Sequence, residues 1–506
     1  MTGSGSTEAA AVAETHVSVV LFVGDRAYKV KKPADFGFLD FRTREAREAV
    51  CRREVELNRR LAPDVYLGVV DLVGPDGMAF DHLVVMRRMP SGRRLSTLVT
   101  TGRDVREELR SIAQVLADFH ARADVSAEIA EAGSVHNMRR NWETNSDQLR
   151  SFAVPTPGGP PLLDPGMVEA VALLAERYLA GRSPLFGRRI TEGRIRDGHG
   201  DVLADDIFCL PDGPRILDCI EFDDRLRHGD VLGDVAFLAM DLERLGAPRL
   251  GTELLSRYRE LTNETYPATL EDFWIAYRAQ VRTKVACLRA GQGDGAAAVE
   301  APHLLAMTLA HLKRCQVNLV LIGGAPGTGK STLAKALAAR QGWVLVRSDE
   351  VRKALFGLTP TSRSGAQNGI GEGIYDQAST DATYDEMLAR AKPDLEQGQS
   401  VVLDASWADP RFRGAAAALA SDTSSDLVEL RCEAPIEVTL ARIEARAARG
   451  DDPSDATAEV AQMLRAASPP WSSATVIDTG GGRHDSMAQV WAALGPEILR
   501  AEADET

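Results

Sequence analysis

The sequence is poor in cysteine and holds no long apolar run. Its six cysteines lie far apart without a C-x-x-C pair, which argues against a disulfide framework or a cysteine zinc site and is typical of reduced thiols. No stretch of about 18 consecutive apolar residues occurs, so no transmembrane helix is predicted. Residues 1–14 are rich in glycine, serine and alanine without a basic start, which predicts a disordered leader. We therefore expect a cytoplasmic protein.

Basic residues are also in deficit. The formal net charge of -14 argues against nucleic acid or a membrane surface as the partner and favours a small molecule. A hydrophobic content of 44% and a charged content of 26% are those of a globular protein. At 506 residues the chain exceeds what one core usually supports, so two or more domains are expected.

One glycine-rich stretch carries the clearest chemistry. An apolar strand over 318–322 runs into a loop that satisfies G-x-x-x-x-G-K-[ST] at every position and opens a helix. In such a loop, backbone N–H groups surround phosphate oxygens, the lysine reaches the β- and γ-phosphates and the serine is placed to hold Mg²⁺. The predicted nucleotide-phosphate site comprises Gly324, Ala325, Pro326, Gly327, Thr328, Gly329, Lys330, Ser331 and Thr332.

The chain beyond this loop alternates strands and helices, which predicts a parallel sheet covered by helices. The expected strands are 318–322, 343–346, 400–403, 426–431 and 474–477. Ligands of such sheets lie beyond the carboxyl ends of the strands. Polar residues that follow the strands should therefore surround the phosphate loop.

Two carboxylates and an arginine stripe stand near these strand ends. Asp349 is placed to hydrogen-bond an acceptor hydroxyl or take its proton, although an aspartate there also caps helices. Asp404 is placed to act on Mg²⁺ through water. Arg442, Arg446 and Arg449 recur on one helix, and they form either a solvated face or a lid that neutralises transition-state charge.

The N-terminal part begins with a predicted hairpin over 17–32. Its second strand carries Lys29 and Lys31 on one face. A helix and two more strands complete a small α+β lobe, at 43–61, 64–73 and 78–89. Because the helix carries Glu54 and Glu56, the lobe offers strand lysines together with helix glutamates.

From residue 106 onward the pattern is mostly helical, apart from a polar segment at 131–150 and a loop at 154–165. The stretch His199-Gly-Asp201 then precedes two short apolar strands joined by a Pro-Asp-Gly turn. Carboxylates stand before, along and after these strands: Asp201, Asp206, Asp218, Glu221, Asp223 and Asp224. We place the domain boundary near residue 314.

The C-terminal motifs resemble those of a known group of enzymes. The phosphate loop, Val346-Arg-Ser-Asp-Glu-Val-Arg-Lys353 and Val401-Val-Leu-Asp-Ala-Ser406 are similar to the small P-loop kinases, the group of gluconate kinase, polynucleotide 5′-kinase, chloramphenicol phosphotransferase and zeta toxins. The resemblance implies ATP, Mg²⁺ and a hydroxyl acceptor. It also implies that the acceptor site lies on a variable insertion, here 359–383.

The N-terminal motifs resemble the aminoglycoside-phosphotransferase-like kinases, whose motif reads H-G-D-x-x-x-x-N. This resemblance implies that Asp201 is the catalytic base and that Asp206 occupies the position of the metal-binding asparagine. A lone histidine is more often a structural hydrogen-bonder than a catalyst, so we expect His199 to have only a supporting role. The resemblance leaves three choices open, namely Lys29 or Lys31 for the α- and β-phosphates, Glu54 or Glu56 as the partner of that lysine, and Asp218 or Glu221 as the second metal ligand.

The domain order as a whole resembles bacterial two-domain proteins in which an aminoglycoside-phosphotransferase-like domain is fused to a P-loop kinase domain. Matching stretches include 57–69 and 218–224. The implied fold class is α/β and α+β. A bilobal protein-kinase-like fold would span 15–314, with a small lobe at 15–90 and a helical lobe at 91–314, and the P-loop kinase domain would span 315–506.

These patterns predict an ATP-dependent phosphotransferase that acts on a hydroxyl of a small molecule, such as a sugar, a sugar acid or an aminoglycoside. The predicted catalytic residues are Asp201, Lys330, Asp349, Arg442 and Arg446. Two alternatives belong to other classes: a P-loop ATPase or switch with an inactive N-terminal fold, and a nucleic-acid end kinase. The acceptor, the choice of ATP or GTP, and the oligomeric state stay open.

Overall fold

We describe the protein from a computed structural model, which covers residues 11–14, 18–34, 40–75, 77–155, 159–359, 373–449, 459, 461–462 and 469–495. The chain forms two compact units, each assembled from three segments. Unit 1 consists of Met1–Asn145, Gly187–Tyr266 and Trp274–Leu305, and unit 2 of Ser146–Phe186, Pro267–Phe273 and Ala306–Thr506. The domain boundary that we place near residue 314 stays a prediction.

Unit 1 starts with an antiparallel five-stranded sheet in the order β1-β2-β3-β5-β4. Its strands are β1 (Ala11–Glu14), β2 (Ser18–Val23), β3 (Arg26–Lys31), β4 (Tyr66–Val73) and β5 (Ala79–Arg87), and helix α1 (Arg44–Asn58) follows β3. The Thr43 side chain caps α1 by accepting a hydrogen bond from the Ala46 N–H at 3.2 Å. On β3, alternate residues are buried, so Lys29 and Lys31 share one face as predicted.

The middle of the chain is helical and carries two short strand pairs. The helices are α2 (Leu95–Thr100), α3 (Arg106–Arg122), α4 (Ala127–Glu131), α5 (Val135–Arg150), α6 (Pro165–Gly181), α7 (Ser183–Thr191), α8 (Val231–Arg244), α9 (Pro248–Thr262), α10 (Ala268–Gly291) and α11 (Gly295–Arg314). The antiparallel pairs join β6 (Ile195–Asp197) to β9 (His228–Asp230) and β7 (Ile207–Leu210) to β8 (Gly213–Ile216).

The polar segment at 131–150, which the pattern did not assign to a helix, is mostly helical, because α5 occupies most of it. Met138, Trp142 and Leu149 are buried, and they lie on one side of a helix with a period of 3.6 residues. Because these three apolar residues stand among many polar ones, the hydrophobic periodicity of the segment is weak. None of the helices described here combines the length and apolarity needed to cross a bilayer.

Unit 2 contains a parallel five-stranded sheet in the order β11-β12-β10-β13-β14. Its strands are β10 (Asn318–Gly323), β11 (Val344–Arg347), β12 (Val401–Asp404), β13 (Asp426–Glu433) and β14 (Thr475–Asp478). Its remaining helices are α12 (Lys330–Gln341), α13 (Ser348–Leu355), α14 (Gln377–Glu396), α15 (Pro410–Asp422), α16 (Ile436–Arg449) and α17 (Arg483–Leu494). Each predicted strand is found, and the predicted fold class is confirmed.

The register of the sheet decides which residues meet at its carboxyl edge. Asp404 at the end of β12 pairs with Ile322 of β10 on one side and with Arg347 of β11 on the other. Since β10 runs directly into the phosphate loop, Asp404 and Arg347 lie at the edge where a nucleotide is expected.

Helix α6 packs tightly within unit 2, where Gly181 approaches the segment that follows α15. A Cβ atom on residue 181 would overlap the Thr423 carbonyl oxygen, and the fully buried Arg182 donates a hydrogen bond to the same oxygen at 2.6 Å. Arg177 of α6 reaches Asp426 at the start of β13, with 2.7 Å between Nη1 and Oδ1. This contact leaves no room for a side chain at position 181.

We therefore expect Gly181→Ala to destabilise unit 2 by about 1–3 kcal/mol, the usual cost of overpacking a close contact. Scanning calorimetry of the full chain should show the affected transition about 2–10 °C lower. Gly187→Ala is the matched control, because a Cβ there meets nothing within 4 Å. Equal midpoints for the two variants would contradict the prediction.

Candidate nucleotide-binding sites

The phosphate loop of unit 2 joins β10 to α12. Three of its glycines have positive φ, at 133° for Gly324, 84° for Gly327 and 87° for Gly329, and α12 begins at Lys330. The Thr328 hydroxyl donates to the Ala325 carbonyl oxygen at 2.7 Å and closes the turn. The loop therefore leads directly into a helix N-terminus, and the first N–H groups of a helix are the arrangement that binds phosphate.

Glycine is required at two of these positions by close contacts as well as by backbone angle. A Cβ on Gly324 would lie 2.6 Å from the Cys432 carbonyl oxygen, and one on Gly327 would lie 2.8 Å from the Thr439 carbonyl oxygen. Thr439 is on α16, so the loop and α16 are in direct backbone contact. Any larger residue would have to push them apart.

A cavity of about 310 Å³ opens at this loop. Its lining includes Gly329, Lys330, Ser331, Arg442 and Arg483. The volume, the cationic side chains and the helix N-terminus suit the phosphates and part of the nucleoside of a nucleotide.

Arg442 is positioned over the loop by Thr479. Its Nη2 donates to the Thr479 carbonyl oxygen at 2.7 Å, and Nη1 is buried with no hydrogen-bond partner within the described part of the chain. The Thr479 hydroxyl in turn donates to the Thr328 carbonyl oxygen at 2.5 Å. Arg446 lies on the same helix, but its side chain and that of Arg449 are outside the described residues. Of the arginine stripe, Arg442 thus faces the phosphate loop.

The end of β12 carries a carboxylate with one occupied and one open oxygen. Asp404 is 3% exposed; its Oδ2 accepts from Arg347 Nε at 3.0 Å, whereas Oδ1 is buried and has no hydrogen-bond partner among the residues described. A buried carboxylate oxygen without a partner is costly unless water or a cation reaches it. Asp404 therefore fits the predicted role toward Mg²⁺.

Asp349 lies in the first turn of α13, directly after β11. The N-cap of α13 is Arg347, which makes no side-chain capping bond, so Asp349 is not the cap of this helix. Arg347 also donates to Glu350 at 2.8 Å, which ties the start of α13 to Asp404. The predicted acceptor insertion at 359–383 lies outside the described residues over 360–372.

The second candidate site, in unit 1, is built on a chain of buried ion pairs. Lys29 Nζ lies 2.7 Å from Asp218 Oδ1 and 2.9 Å from Glu54 Oε1, while Lys31 Nζ lies 2.6 Å from Glu54 Oε2 and 2.5 Å from Glu221 Oε1. Burial alone would raise the pKa of Glu54, but the two lysines hold it below its ordinary value. Glu54 is therefore the anion that both lysines share.

The geometry separates the alternatives that the sequence left open. Glu54 is fully buried between the lysines, whereas Glu56 is exposed and pairs with Arg53 at 2.9 Å. The Asp218 side chain is 48% exposed beside Lys29, whereas that of Glu221 is 8% exposed beside Lys31. Lys29 and Asp218 thus form the end of this row of ion pairs that a ligand can reach.

Asp218 is held in a left-handed backbone conformation, with φ at 63°. The Tyr66 hydroxyl accepts from its N–H at 3.2 Å, and Asn58 Oδ1 accepts from the N–H of Cys219 at 2.9 Å. Arg60 donates to the carbonyl oxygens of Asp197 at 3.1 Å and Gly198 at 2.9 Å, directly before the His-Gly-Asp stretch. These three side chains were not predicted as functional, although all lie in the stretch 57–69 that carries the family resemblance.

The His-Gly-Asp stretch is held by a buried aspartate on α8. Asp234 accepts hydrogen bonds from the N–H groups of His199 at 2.7 Å and Gly200 at 2.9 Å. Burial lowers the pKa of His199 to about 4, and its Nε2 lies 3.1 Å from the Leu217 carbonyl oxygen. His199 is therefore neutral and links the Asp201 loop to the segment before Asp218, which is a structural role.

The three aspartates of this site are electrostatically distinct. Burial raises the pKa of Asp201 to about 6 and raises that of Asp206 well above its ordinary value, the latter also because Asp218 is nearby. The Lys29 charge lowers the pKa of Asp218 to about 2. Asp218 is thus ionised, whereas Asp201 and Asp206 resist ionisation. A bound cation would favour the ionised form of all three carboxyl groups.

Magnesium would have to complete its shell from other ligands at both sites. In the part of the chain that the structure describes, no three His, Cys, Asp or Glu side chains come together as a metal site on their own. Mg²⁺ in nucleotide sites is characteristically held by one or two carboxylates together with phosphate oxygens and water. The residues present fit that pattern.

The protein combines an antiparallel five-stranded sheet in unit 1 with a parallel five-stranded sheet in unit 2, whose strand β10 runs into the glycine-rich loop before α12. The family model described as an AAA domain matches residues 319–470. The chain belongs to the family of the uncharacterized protein Rv2004c of Mycobacterium tuberculosis, to which it is 44% identical over 480 residues, covering 95% of this chain and 94% of the relative.

Two solved structures are similar to parts of the chain. A choline/ethanolamine kinase family protein from Mesorhizobium loti is 17% identical, with a TM-score of 0.39, and the match covers 61% of this chain and 94% of that one. A sugar kinase from Janibacter sp. is 15% identical, with a TM-score of 0.28, and the match covers 37% of this chain and 99% of that one.

Proposed function

We propose that the protein is an ATP-dependent phosphotransferase that transfers the γ-phosphoryl group to a hydroxyl of a small molecule. The observation that carries the proposal is the phosphate loop, with its three positive-φ glycines, Lys330 at the start of α12 and Arg442 over the cavity. Phosphoryl transfer asks the protein mainly to position the reactants and neutralise charge, and this site offers both.

In the P-loop site, loop N–H groups and Lys330 would bind the β- and γ-phosphates, and the free Nη1 of Arg442 would approach the charge that develops on the transferred group. Ser331 and the open oxygen of Asp404 would hold Mg²⁺, which when bound screens the phosphate charge. Asp349 would orient the acceptor hydroxyl.

In the site of unit 1, Lys29 would bind the α- and β-phosphates, with Glu54 fixing its ammonium group. Asp206 and Asp218 would hold the metal, and Asp201 would accept the proton of the acceptor hydroxyl. Lys31 and Glu221 would anchor the Asp218 segment to the sheet from the buried side.

The test is transfer from γ-labelled ATP to a panel of sugars, sugar acids, aminoglycosides, nucleosides and oligonucleotides. The unaltered chain, Lys330→Ala and Asp201→Asn are compared. A product lost only with Lys330→Ala belongs to the P-loop site, and one lost only with Asp201→Asn belongs to unit 1. Hydrolysis of ATP without any labelled product would contradict the proposal and favour the switch, and a labelled oligonucleotide end would favour the nucleic-acid kinase.

The raised pKa of Asp201 predicts a pH profile for the unit 1 reaction. A general base works only when ionised, and a pKa of about 6 lies above the ordinary value of about 4 for aspartate. In a Lys330→Ala chain, we expect kcat/KM to be constant above pH 7 and to fall about tenfold per pH unit below 6. A rate that stays flat down to pH 5 would contradict the assignment of Asp201 as the base.

A further inference from the structure

Helix α10 presents two arginines, one turn apart, toward the loop that carries Asp201. Arg278 is fully used there: its Nη1 donates to the Gly200 carbonyl oxygen and its Nε to that of Gly233, both at 3.0 Å. Its guanidinium also lies 4.8 Å from the centre of the Phe237 ring. Arg278 therefore fixes this face of α10 against the His-Gly-Asp stretch.

Arg282 follows four residues later, so it lies on the same face of α10. Its positive charge is felt at Asp201, since it opposes the effect of burial on the pKa of that carboxyl. Yet no ion pair within 4 Å and no side-chain hydrogen bond of Arg282 is found among the described residues, and its Nε is buried without a partner. Arg282 is thus a cation on the face of α10 that packs against the His-Gly-Asp stretch, and none of the residues that the structure describes neutralises it by contact.

The charged groups near Asp201 come from different elements. Asp218, the ionised carboxylate of the site, lies beside Lys29, where the nucleotide is expected, whereas Arg282 lies on α10. An acceptor that offers its hydroxyl to Asp201 would be attracted through an anionic group near Arg282 and repelled through a cationic one.

We propose that Arg282 binds an anionic group, a carboxylate or a phosphate, on the acceptor of the unit 1 site. The inference rests on the proposed function and narrows its substrate class to hydroxy acids and phosphorylated sugars. It disfavours aminoglycosides, whose amino groups are cationic. Arginine suits this role because its planar group can give two parallel hydrogen bonds to a carboxylate or phosphate.

In the reaction, the acceptor oxygen forms a bond to the γ-phosphorus while the bond from that phosphorus to the β–γ bridging oxygen breaks. The hydroxyl proton passes to the Asp201 carboxylate, and ADP leaves with the bridging oxygen. Arg282 takes no part in proton transfer. It holds the anionic end of the acceptor so that the hydroxyl faces Asp201.

The test compares three molecules of similar size and different charge, namely gluconate, glucose and glucosamine, together with glucose 6-phosphate. The full chain carries Lys330→Ala, so that the P-loop site is silent. We expect kcat/KM to be at least tenfold higher for gluconate or glucose 6-phosphate than for glucose, and lowest for glucosamine. Whichever of the two anions is preferred identifies the carboxylate or the phosphate as the recognised group.

Arg282→Gln should raise KM for the anionic acceptor by about 10- to 150-fold, the size of a charge-assisted hydrogen bond, and should affect kcat/KM for glucose, which has no anionic group, far less. Arg289→Gln is the matched control, because Arg289 lies on the same helix but is exposed and pairs with Asp294 at 2.5 Å. A preference for glucosamine, or an equal loss for all acceptors in Arg282→Gln, would overturn the inference.

Binding measured by calorimetry separates this inference from the proposed function. If no acceptor is phosphorylated but gluconate or glucose 6-phosphate binds and Arg282→Gln weakens that binding tenfold or more, the anion site stands and the proposed reaction fails. If neither anion binds, or both bind Arg282→Gln as tightly as the unaltered residue, the anion site is refuted.

Discussion

Gly327→Ala is expected to weaken the binding of MgATP to the P-loop site by at least about 30-fold. A left-handed backbone costs about 1–2 kcal/mol in a residue with a side chain. The new Cβ would also lie 2.8 Å from Thr439 and 2.9 Å from Ile443 of α16, which adds about 1–3 kcal/mol of overpacking. Together these terms come to about 2–5 kcal/mol, and they fall on the loop that surrounds the phosphates and on the helix that carries Arg442.

Titration with a fluorescent ATP analogue measures the effect directly. Gly342→Ala serves as the control: Gly342 also has positive φ, at 65°, but a Cβ there meets nothing within 4 Å, and it lies at the other end of α12. It should lose about 1 kcal/mol of stability and keep its nucleotide affinity. Similar affinities for the two variants would mean that the contact with α16 does not shape the phosphate site.

Glu54→Gln is expected to destabilise the small lobe of unit 1 by about 3–5 kcal/mol, the cost of removing one partner from a buried ion pair. Glu54 is completely buried and is shared by Lys29 and Lys31 at 2.9 and 2.6 Å. The neutral amide would leave two buried ammonium groups to repel each other, with only Asp218 and Glu221 to balance them. Lys29 would then also lose its fixed position toward a nucleotide.

Hydrogen exchange of peptides from α1 can follow this loss in the full chain. A change of about 3 kcal/mol corresponds to exchange that is roughly 150 times faster. Glu56→Gln, two residues along the same helix, removes only an exposed pair with Arg53 and should change exchange less than about threefold. Equal effects of the two substitutions would show that the buried ion-pair chain does not stabilise the lobe.

Much of the fold could be predicted because its signals are local. The parallel strands of unit 2 are short apolar runs that end in polar residues, and the phosphate loop has a fixed spacing. Helix α5 was missed because its buried side includes a polar residue, Asn145, which donates to Gln280 at 3.3 Å. The buried side of α5 includes this polar pair with α10, and a polar pair does not appear as hydrophobic periodicity in the sequence.

For the candidate sites, the types of residue could be predicted well, but which of these residues contact one another could be predicted less well. Glu54 and Glu56 are equivalent in the sequence, and only the orientation of α1 against β3 decides which one is buried. Thr479 follows the last strand and could have been found by the rule that led to Asp404. Tyr66 and Asn58 accept hydrogen bonds from the backbone N–H groups of residues 218 and 219, which lie far away in the chain. No local sequence pattern predicts such contacts.

The interleaving of the two units along the chain has a consequence for synthesis on the ribosome. The segment Ser146–Phe186 belongs to unit 2, but the rest of that unit starts at Pro267 and continues beyond Ala306. At about 5–20 residues per second, α6 is made roughly 12–48 seconds before Thr423, the residue that Gly181 and Arg182 contact. During that interval Arg182 and Gly181 have no carbonyl of Thr423 to contact. The nascent chain must therefore carry this surface of α6 without its native partner for many seconds.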